Sequence, residues 1–132
     1  MRVYCHPLNY QPLPNVFYRN GGHGKFTDAT ADAGLAPAPG DPARRDYLQW
    51  MLHLANMLQP LFRIWWYPHE VAGAELADSA REHVRPRIED AWARIDAHLD
   101  GHGPFLLGEA PCAADFYLVM LMRWSRNMPR PA

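Results

Sequence analysis

The sequence predicts an all-α helical bundle preceded by a mostly irregular segment. Two stretches of the 132-residue chain carry apolar residues at helical spacing, and a third, from Ala113 to about Arg126, is apolar on nearly every side. A helix of that last kind is typical of the middle of a bundle. Many of the thirteen prolines precede residue 43, which disfavours helix there. We therefore expect two parts, an irregular 1–40 and a helical domain over 41–132.

Composition excludes several classes of function. Thirteen Lys and Arg against fourteen Asp and Glu give a net charge of -1, which does not favour nucleic acid or an anionic membrane. The longest apolar run, which includes Leu118 to Met122, is far shorter than the ~20 residues of a membrane span. Two distant cysteines, Cys5 and Cys112, and no export signal at the start predict a cytoplasmic protein in a reducing compartment.

The first helix should begin with Asp41 as N-cap and Pro42 as first helical residue, and should end before Pro68. Its apolar residues form two stripes, which implies packing partners on two sides. One stripe is Tyr47, Trp50, Met51, Leu54, Leu58 and Leu61, and the other is Leu48, Leu52, Ala55 and Phe62. Pro60 removes a backbone hydrogen bond, so a kink is expected near Asn56.

The second helix should run from about Ala72 to Leu99, antiparallel to the first, with a bend at Pro86 and its end at Gly101 and Gly103. One stripe of it is apolar and the opposite face is charged, as in an ordinary surface helix of a bundle. The stripe is Leu76, Ala80, Val84, Ile88, Ala91, Trp92, Ile95 and Leu99.

A capping box is predicted at the start of the third helix. Residue 112 should accept a hydrogen bond from the amide of Asp115, while the Asp115 carboxylate accepts one from the amide of residue 112. A thiol is a weaker acceptor than a hydroxyl, so Cys112 should lose part of the ~1 kcal/mol that such a cap provides.

These residues resemble a known family. The run Pro104-Phe105-Leu106-Leu107-Gly108, a short polar turn and then Cys-Ala-Ala-Asp at 112–115 is similar to the capping-box region of the glutathione S-transferase C-terminal domain, bacterial type. The resemblance continues through 88–99 and 47–51 and covers roughly 34–131. Cys112 stands where the family has Ser or Thr.

Residues 1–9 resemble the first strand and loop of the family's thioredoxin-like domain. The family's next helix, further strands, cis-proline and Glu-Ser or Gln-Ser pair find no counterpart in 10–25, where turn residues cluster. We therefore expect an internal deletion or scrambled segment, with a first-strand stub close to the interdomain linker.

The resemblance implies conjugation of glutathione, as co-substrate, to an electrophile. The family stabilises the glutathione thiolate with Ser or Tyr, or pairs it with Cys. Ser79 and Ser125 lie on helices of the wrong domain, and Asn9, Tyr10 and Cys5 are interpreted as structural remnants. No catalytic residue is assigned, and whether this chain is an active enzyme is left open, with impaired catalysis expected.

The resemblance also implies a pocket for a small apolar electrophile. Its wall would comprise Tyr47, Trp50, Met51, Leu54, Arg123 and Trp124. The alternative is that these residues form core or a dimer interface, and the run 65–67, Trp-Trp-Tyr, is interpreted as a surface or interface cluster. Two further hypotheses stay open: a non-catalytic helical module for dimerisation or hydrophobic-ligand binding, and a marginally stable defective gene product.

No metal site is predicted, although the chain has seven histidines. None shows the helical His-x-x-x-His spacing with a carboxylate that zinc enzymes use. His98 and His102 are four residues apart, but Gly101 is expected to break the helix between them.

Overall fold

The computed structural model describes residues 18–128. Two short strands are followed by helices, and the predicted helical bundle is confirmed. The elements are β1 (Tyr18–Asn20), β2 (Phe26–Asp28), α1 (Arg44–His53), a π-helical turn (Leu54–Leu58), α2 (Gln59–Trp66), α3 (His69–Ala72), α4 (Ala77–His102) and α5 (Ala113–Ser125). The predictions for 1–17, including those for Cys5, Asn9 and Tyr10, lie outside the described residues.

Helix α4 runs antiparallel to the rod formed by α1, the π turn and α2. The Arg85 guanidinium lies 5.2 Å from the ring centroid of Trp65, near one end of the pair. At the other end, the rings of Trp50 and His98 are 4.5 Å apart. Residue numbers thus rise along one helix as they fall along the other, as the sequence predicted.

Helix α5 runs parallel to the same rod. The Tyr117 hydroxyl donates to Oε1 of Gln59, and further along the ring of Trp124 meets Phe62 edge-on at 6.3 Å. The loop between α4 and α5 reverses the chain, so the three long elements form an up-down-up bundle.

The rod contains a π-helical turn, Leu54–Leu58, just before Pro60. The amide of Gln59 donates to the carbonyl of Leu54, five residues back, and Pro60 has no N–H to continue the ladder. A wider turn thus stands at the position where a kink near Asn56 is predicted. The predicted cap is displaced: Asp41 Oδ1 accepts from the amide of Ala43 at 2.8 Å, and the helix begins only at Arg44.

Helix α4 differs from its prediction at both ends. It begins at Ala77, because Gly73, with φ +75°, ends the short α3. It then continues through Pro86 and Gly101 to His102, and Gly103, with φ +111°, ends it. The expected break at Gly101 was wrong, since one glycine costs a helix only about 1 kcal/mol.

The core lies between the first stripe of the rod, α4 and α5. From the rod, Tyr47, Met51, Leu54, Leu58, Leu61 and Phe62 are buried, and from α4 Val84, Ile88, Ala91 and Ile95. The prediction that a second stripe packs against a partner was wrong in part, because Leu48 and Leu52 are 38% and 57% exposed. Leu76, predicted on the buried stripe of α4, precedes that helix and is exposed.

Helix α5 is buried on one side rather than all round. Ala114, Leu118 and Leu121 face the core, whereas Phe116 is 60% and Val119 54% exposed within the described structure. The prediction of a central helix was therefore wrong for the part of the chain described.

The described part of 1–40 contains one exposed hairpin. Strands β1 and β2 pair antiparallel, with Tyr18 opposite Asp28, and all their residues are exposed. The remainder is turns, as predicted, and it is tied to the bundle where the amide of Ala113 donates to the carbonyl of Leu35 at 2.7 Å.

Candidate ligand-binding groove

A large open groove of about 1140 Å³ lies between α2, α3 and the C-terminal end of α5. Most of its lining is apolar or aromatic. The lining residues are Ala55, Gln59, Pro60, Phe62, Arg63, Ile64, Trp66, Tyr67, Val71, Arg123, Trp124 and Asn127. We call this the aromatic groove. A concave, mostly apolar surface with a few polar groups at its edge is the usual form of a small-molecule site.

The aromatic groove depends on how α2 ends. Pro68 stops the helix, and Tyr67 leaves helical geometry at φ -127° and ψ 53°, which allows α3 to form one side of the groove. The Arg63 guanidinium lies 5.3 Å from the Tyr67 ring centroid and forms an ion pair with Glu70 of α3. These contacts hold the tyrosine and the two helices in one arrangement.

The polar edge of the groove consists of Gln59, Arg63, Arg123 and Asn127. The Oε1 atom of Gln59 accepts from Tyr117, and burial raises the pKa of that phenol, so it stays a protonated donor. Besides the phenol of Tyr67, the polar side chains that line the groove are therefore two guanidinium groups and two amides.

The capping box at the start of α5 is present, as the sequence predicted. Asp115 is 8% exposed; its Oδ1 accepts from the amide of Leu106 and its Oδ2 from the amide of Cys112, both at 2.8 Å. The Cys112 thiol also donates to Oδ2 at 3.1 Å. Burial and this bond raise the pKa of the thiol to about 11. Cys112 is thus a neutral structural group, not a nucleophile.

A second, smaller cleft of about 320 Å³ lies beside α1, the end of α4 and the loop 106–108. The rings of His98 and His102 stack at 4.2 Å, and Trp50 packs on His98. The ring Nε2 of His98 donates to the carbonyl of Leu106 at 2.9 Å. Within residues 18–128, no three His, Cys, Asp or Glu side chains are grouped to hold a metal ion.

Comparison with known proteins identifies the fold. The sequence matches no family profile and no curated protein. The structure is similar to that of BphK, a bacterial glutathione S-transferase solved in a ternary complex, with 28% identity and a TM-score of 0.63. The chain has a glutathione S-transferase-like fold. The match covers 74% of this chain and 46% of BphK, so this chain spans under half of that protein.

The six residues predicted to line the electrophile pocket of this glutathione S-transferase-like chain lie in three places. Tyr47, Met51 and Leu54 are buried in the core. Trp50 lines the smaller cleft, and Arg123 and Trp124 line the aromatic groove. The structure brings only the last two together, and their binding of a ligand stays a prediction.

Sequence reasoning did not assign most of the groove to a binding site. The sequence interpretation places Trp66 and Tyr67 in a surface or interface cluster, and Phe62 only in a helical stripe. One signal was available: Ala55, Gln59, Phe62 and Trp66 recur at helical spacing.

No helix among the described residues is long and apolar enough to cross a membrane.

Proposed function

We propose that this chain is a glutathione S-transferase-like helical domain that holds a small apolar aromatic molecule in the aromatic groove, and that it conjugates glutathione poorly on its own. The observation that carries the proposal is the set of three exposed aromatic side chains, Trp66, Tyr67 and Trp124, that share one groove, with the buried Phe62 behind Trp124. The proposal includes a cytoplasmic location, which the free buried thiol of Cys112 supports.

Aromatic side chains suit this ligand class for a physical reason. Trp66 and Tyr67 are 39% and 50% exposed, so their apolar faces contact water when the groove holds no ligand. A bound ring would remove that area from water at about 25 cal/mol per Å² and would add ring-to-ring contact of about 0.5–1.5 kcal/mol per pair. The edge-on contact of Trp124 with Phe62 fixes one wall in advance.

Poor conjugation is supported by the hydroxyls and thiol of the described helices. Catalysis requires a donor aimed at the glutathione sulfur, and loss of such a donor costs about 10²–10³ in rate. Ser125 donates to the carbonyl of Met122 at 2.8 Å, and Cys112 is bonded to Asp115 in the core. Tyr47 is buried, and burial raises the pKa of its phenol. The proposal therefore does not include glutathione as a ligand that this chain binds on its own.

Titration with a neutral fluorescent aromatic, N-phenyl-1-naphthylamine, tests the groove. We expect saturable binding that weakens at least several-fold in Trp66→Ala, because that ring lines the groove. Phe116→Ala is the matched control, since Phe116 is an exposed aromatic of α5 that does not line it. Equal loss in both variants, or no saturable binding by the parent, would refute the proposal.

A separate assay tests the catalytic half of the proposal. Purified chain is mixed with glutathione and a generic aromatic electrophile, and a variant with Asn9, Tyr10 and Cys5 replaced is run beside it. We expect both to match the uncatalysed rate, and neither to be retained on immobilised glutathione. Turnover by the parent that the triple variant loses would show a working active site.

A second candidate function is dimerisation, favoured by the exposed apolar side chains of the rod. Leu48, Leu52 and Met57 are 38%, 57% and 50% exposed. Sedimentation of the parent against Leu52→Glu tests it: a dimer that the charge dissociates supports this role. A parent that is monomeric at high concentration excludes it.

A further inference from the structure

The smaller cleft, beside α1, the end of α4 and the loop 106–108, contains two imidazoles whose hydrogen bonds fix where their protons lie. Nε2 of His98 is 2.9 Å from the carbonyl oxygen of Leu106, and Nδ1 of His102 is 3.0 Å from the carbonyl oxygen of His98. A carbonyl oxygen only accepts, so each of these two nitrogens carries a proton and donates it. The other nitrogen of each neutral ring then has a lone pair, and within residues 18–128 it has no hydrogen-bond partner.

The remaining polar lining of the smaller cleft is also rich in acceptors. It contains the carboxylate of Asp46 and the amide of Gln49, and no lysine or arginine. Asp46 forms an ion pair with Arg45 at 3.1 Å, but the Arg45 side chain is 85% exposed, so this pair contributes little and a ligand can replace it. The one charged side chain of the lining is therefore negative, in contrast to the two arginines at the edge of the aromatic groove.

We propose that the smaller cleft binds small planar organic cations, such as amidinium and guanidinium compounds, through Asp46, His98 and His102. Such a cation has several N–H donors in one plane and no acceptor, which matches a carboxylate and two ring lone pairs. The ring of Trp50 lines the same cleft and packs on His98 at 4.5 Å, so it offers the cation an aromatic neighbour. A volume of about 320 Å³ is at the lower end of the range for small-molecule sites.

The geometry of the two rings favours an organic cation over a metal ion. The rings of His98 and His102 stack at 4.2 Å with 15° between their planes. A lone pair lies in the plane of its ring, so two nearly parallel rings do not both direct one at a single ion about 2 Å from each nitrogen. Separate N–H groups of one planar cation do not need that convergence. In the described part of the chain, no three His, Cys, Asp or Glu side chains are grouped to hold a metal.

The experiment compares benzamidinium with benzamide, a neutral molecule of nearly the same shape, by titration calorimetry. We expect benzamidinium to bind about ten-fold more tightly, because only the cation pairs with Asp46 and donates to both imidazoles. Asp46→Asn should weaken benzamidinium about three- to five-fold and leave benzamide unchanged. Asp78→Asn is the matched control, since Asp78 is also an exposed aspartate in the first turn of a helix, pairs with an arginine and does not line the cleft.

A second variant tests the lone pairs. His102→Phe keeps a flat ring to stack on His98 but removes the acceptor, so it should weaken benzamidinium about two- to ten-fold. His102 is exposed, and circular dichroism establishes that the fold is retained. His83→Phe is its control, because His83 is an exposed histidine of α4 outside the cleft. In nitrogen NMR, benzamidinium should shift the ring resonances of His98 and His102 and leave those of His83 in place.

Each other outcome overturns the proposal. These outcomes are no saturable binding of benzamidinium, equal affinity for benzamide, or equal losses in Asp46→Asn and Asp78→Asn. Saturable binding of Zn²⁺ without binding of benzamidinium would make the cleft a metal site instead. Loss of benzamidinium binding in Trp66→Ala would place the cation in the aromatic groove. Failure of N-phenyl-1-naphthylamine to bind refutes the proposed function of the groove alone, because the two sites share no lining residue.

Discussion

The Asp115 carboxylate connects three parts of the chain, and its removal is the sharpest test of the fold. Its two oxygens accept the amides of Leu106 and Cys112, and it is 8% exposed. The perturbation we consider is Asp115→Ala. It leaves two backbone donors without acceptors, because alanine offers none and water has little access to the site.

The expected loss of stability follows from the two backbone amides that lose their acceptor. A buried donor left unsatisfied costs about 1–3 kcal/mol, so Asp115→Ala should cost about 2–6 kcal/mol. The free energy of unfolding of a single domain is about 5–15 kcal/mol, so the variant should lose a large fraction of its stability, and it would unfold at 25 °C only if the parent lies at the low end of that range. Asp115→Asn retains one acceptor oxygen and should cost about half as much.

Urea denaturation followed by circular dichroism measures both losses. Asp96→Ala is the matched control, because Asp96 is an exposed carboxylate of α4 and its loss should change stability by no more than about 0.5 kcal/mol. If Asp115→Ala costs less than about 1 kcal/mol, or no more than the control, then the carboxylate does not satisfy these amides and the capping box does not secure the loop.

Three further predictions concern Cys112 and the rod. Cys112→Ser should raise the free energy of unfolding by several tenths to about 1 kcal/mol, because a hydroxyl is a better helix cap than a thiol. A lower urea midpoint would mean that burial of Cys112 as an apolar group contributes more to stability than its role as a cap. The pKa of Cys112, raised to about 11 from 9.0, means that the unfolded thiol ionises first, so stability should fall between pH 9 and 11. Cys112→Ser should reduce that fall, and an unchanged pH profile would contradict it. Leu54→Ala should lower the free energy of unfolding by about 2–5 kcal/mol, because Leu54 is fully buried. Leu52→Ala should lower it by less than about 0.5 kcal/mol, because Leu52 is 57% exposed. Similar urea midpoints for the two variants would contradict this difference in burial.

Local signals predicted the order of the long helices and the buried stripe of the rod, but not the helix ends. The capping box depends on two side chains three residues apart, and both of its halves are formed. The first apolar stripe of the rod depends only on helical periodicity, and its members from Tyr47 to Leu61 are buried, apart from the half-buried Trp50. Pro60 likewise interrupts the helix where a residue without an N–H must do so.

The groove was not predictable in the same way, because it depends on contacts between distant residues. Gln59 and Tyr117 are 58 positions apart, and their hydrogen bond joins α2 to α5. Periodicity gives the apolar faces of a helix but does not say which of them finds a partner. Leu52 has the same apolar character as Leu54, yet only Leu54 is buried.

The capping box and the aromatic groove lie at opposite ends of α5, so we expect stability and the proposed ligand binding to respond independently to substitution. The helix has 13 residues and is about 20 Å long at ~1.5 Å per residue. Asp115 fixes its first turn through Leu106, whereas Arg123 lies in its last turn. Substitutions more than about 10 Å apart with no shared partner have additive effects. Asp115→Asn should therefore lower the urea midpoint and leave unchanged the affinity of the folded protein for N-phenyl-1-naphthylamine.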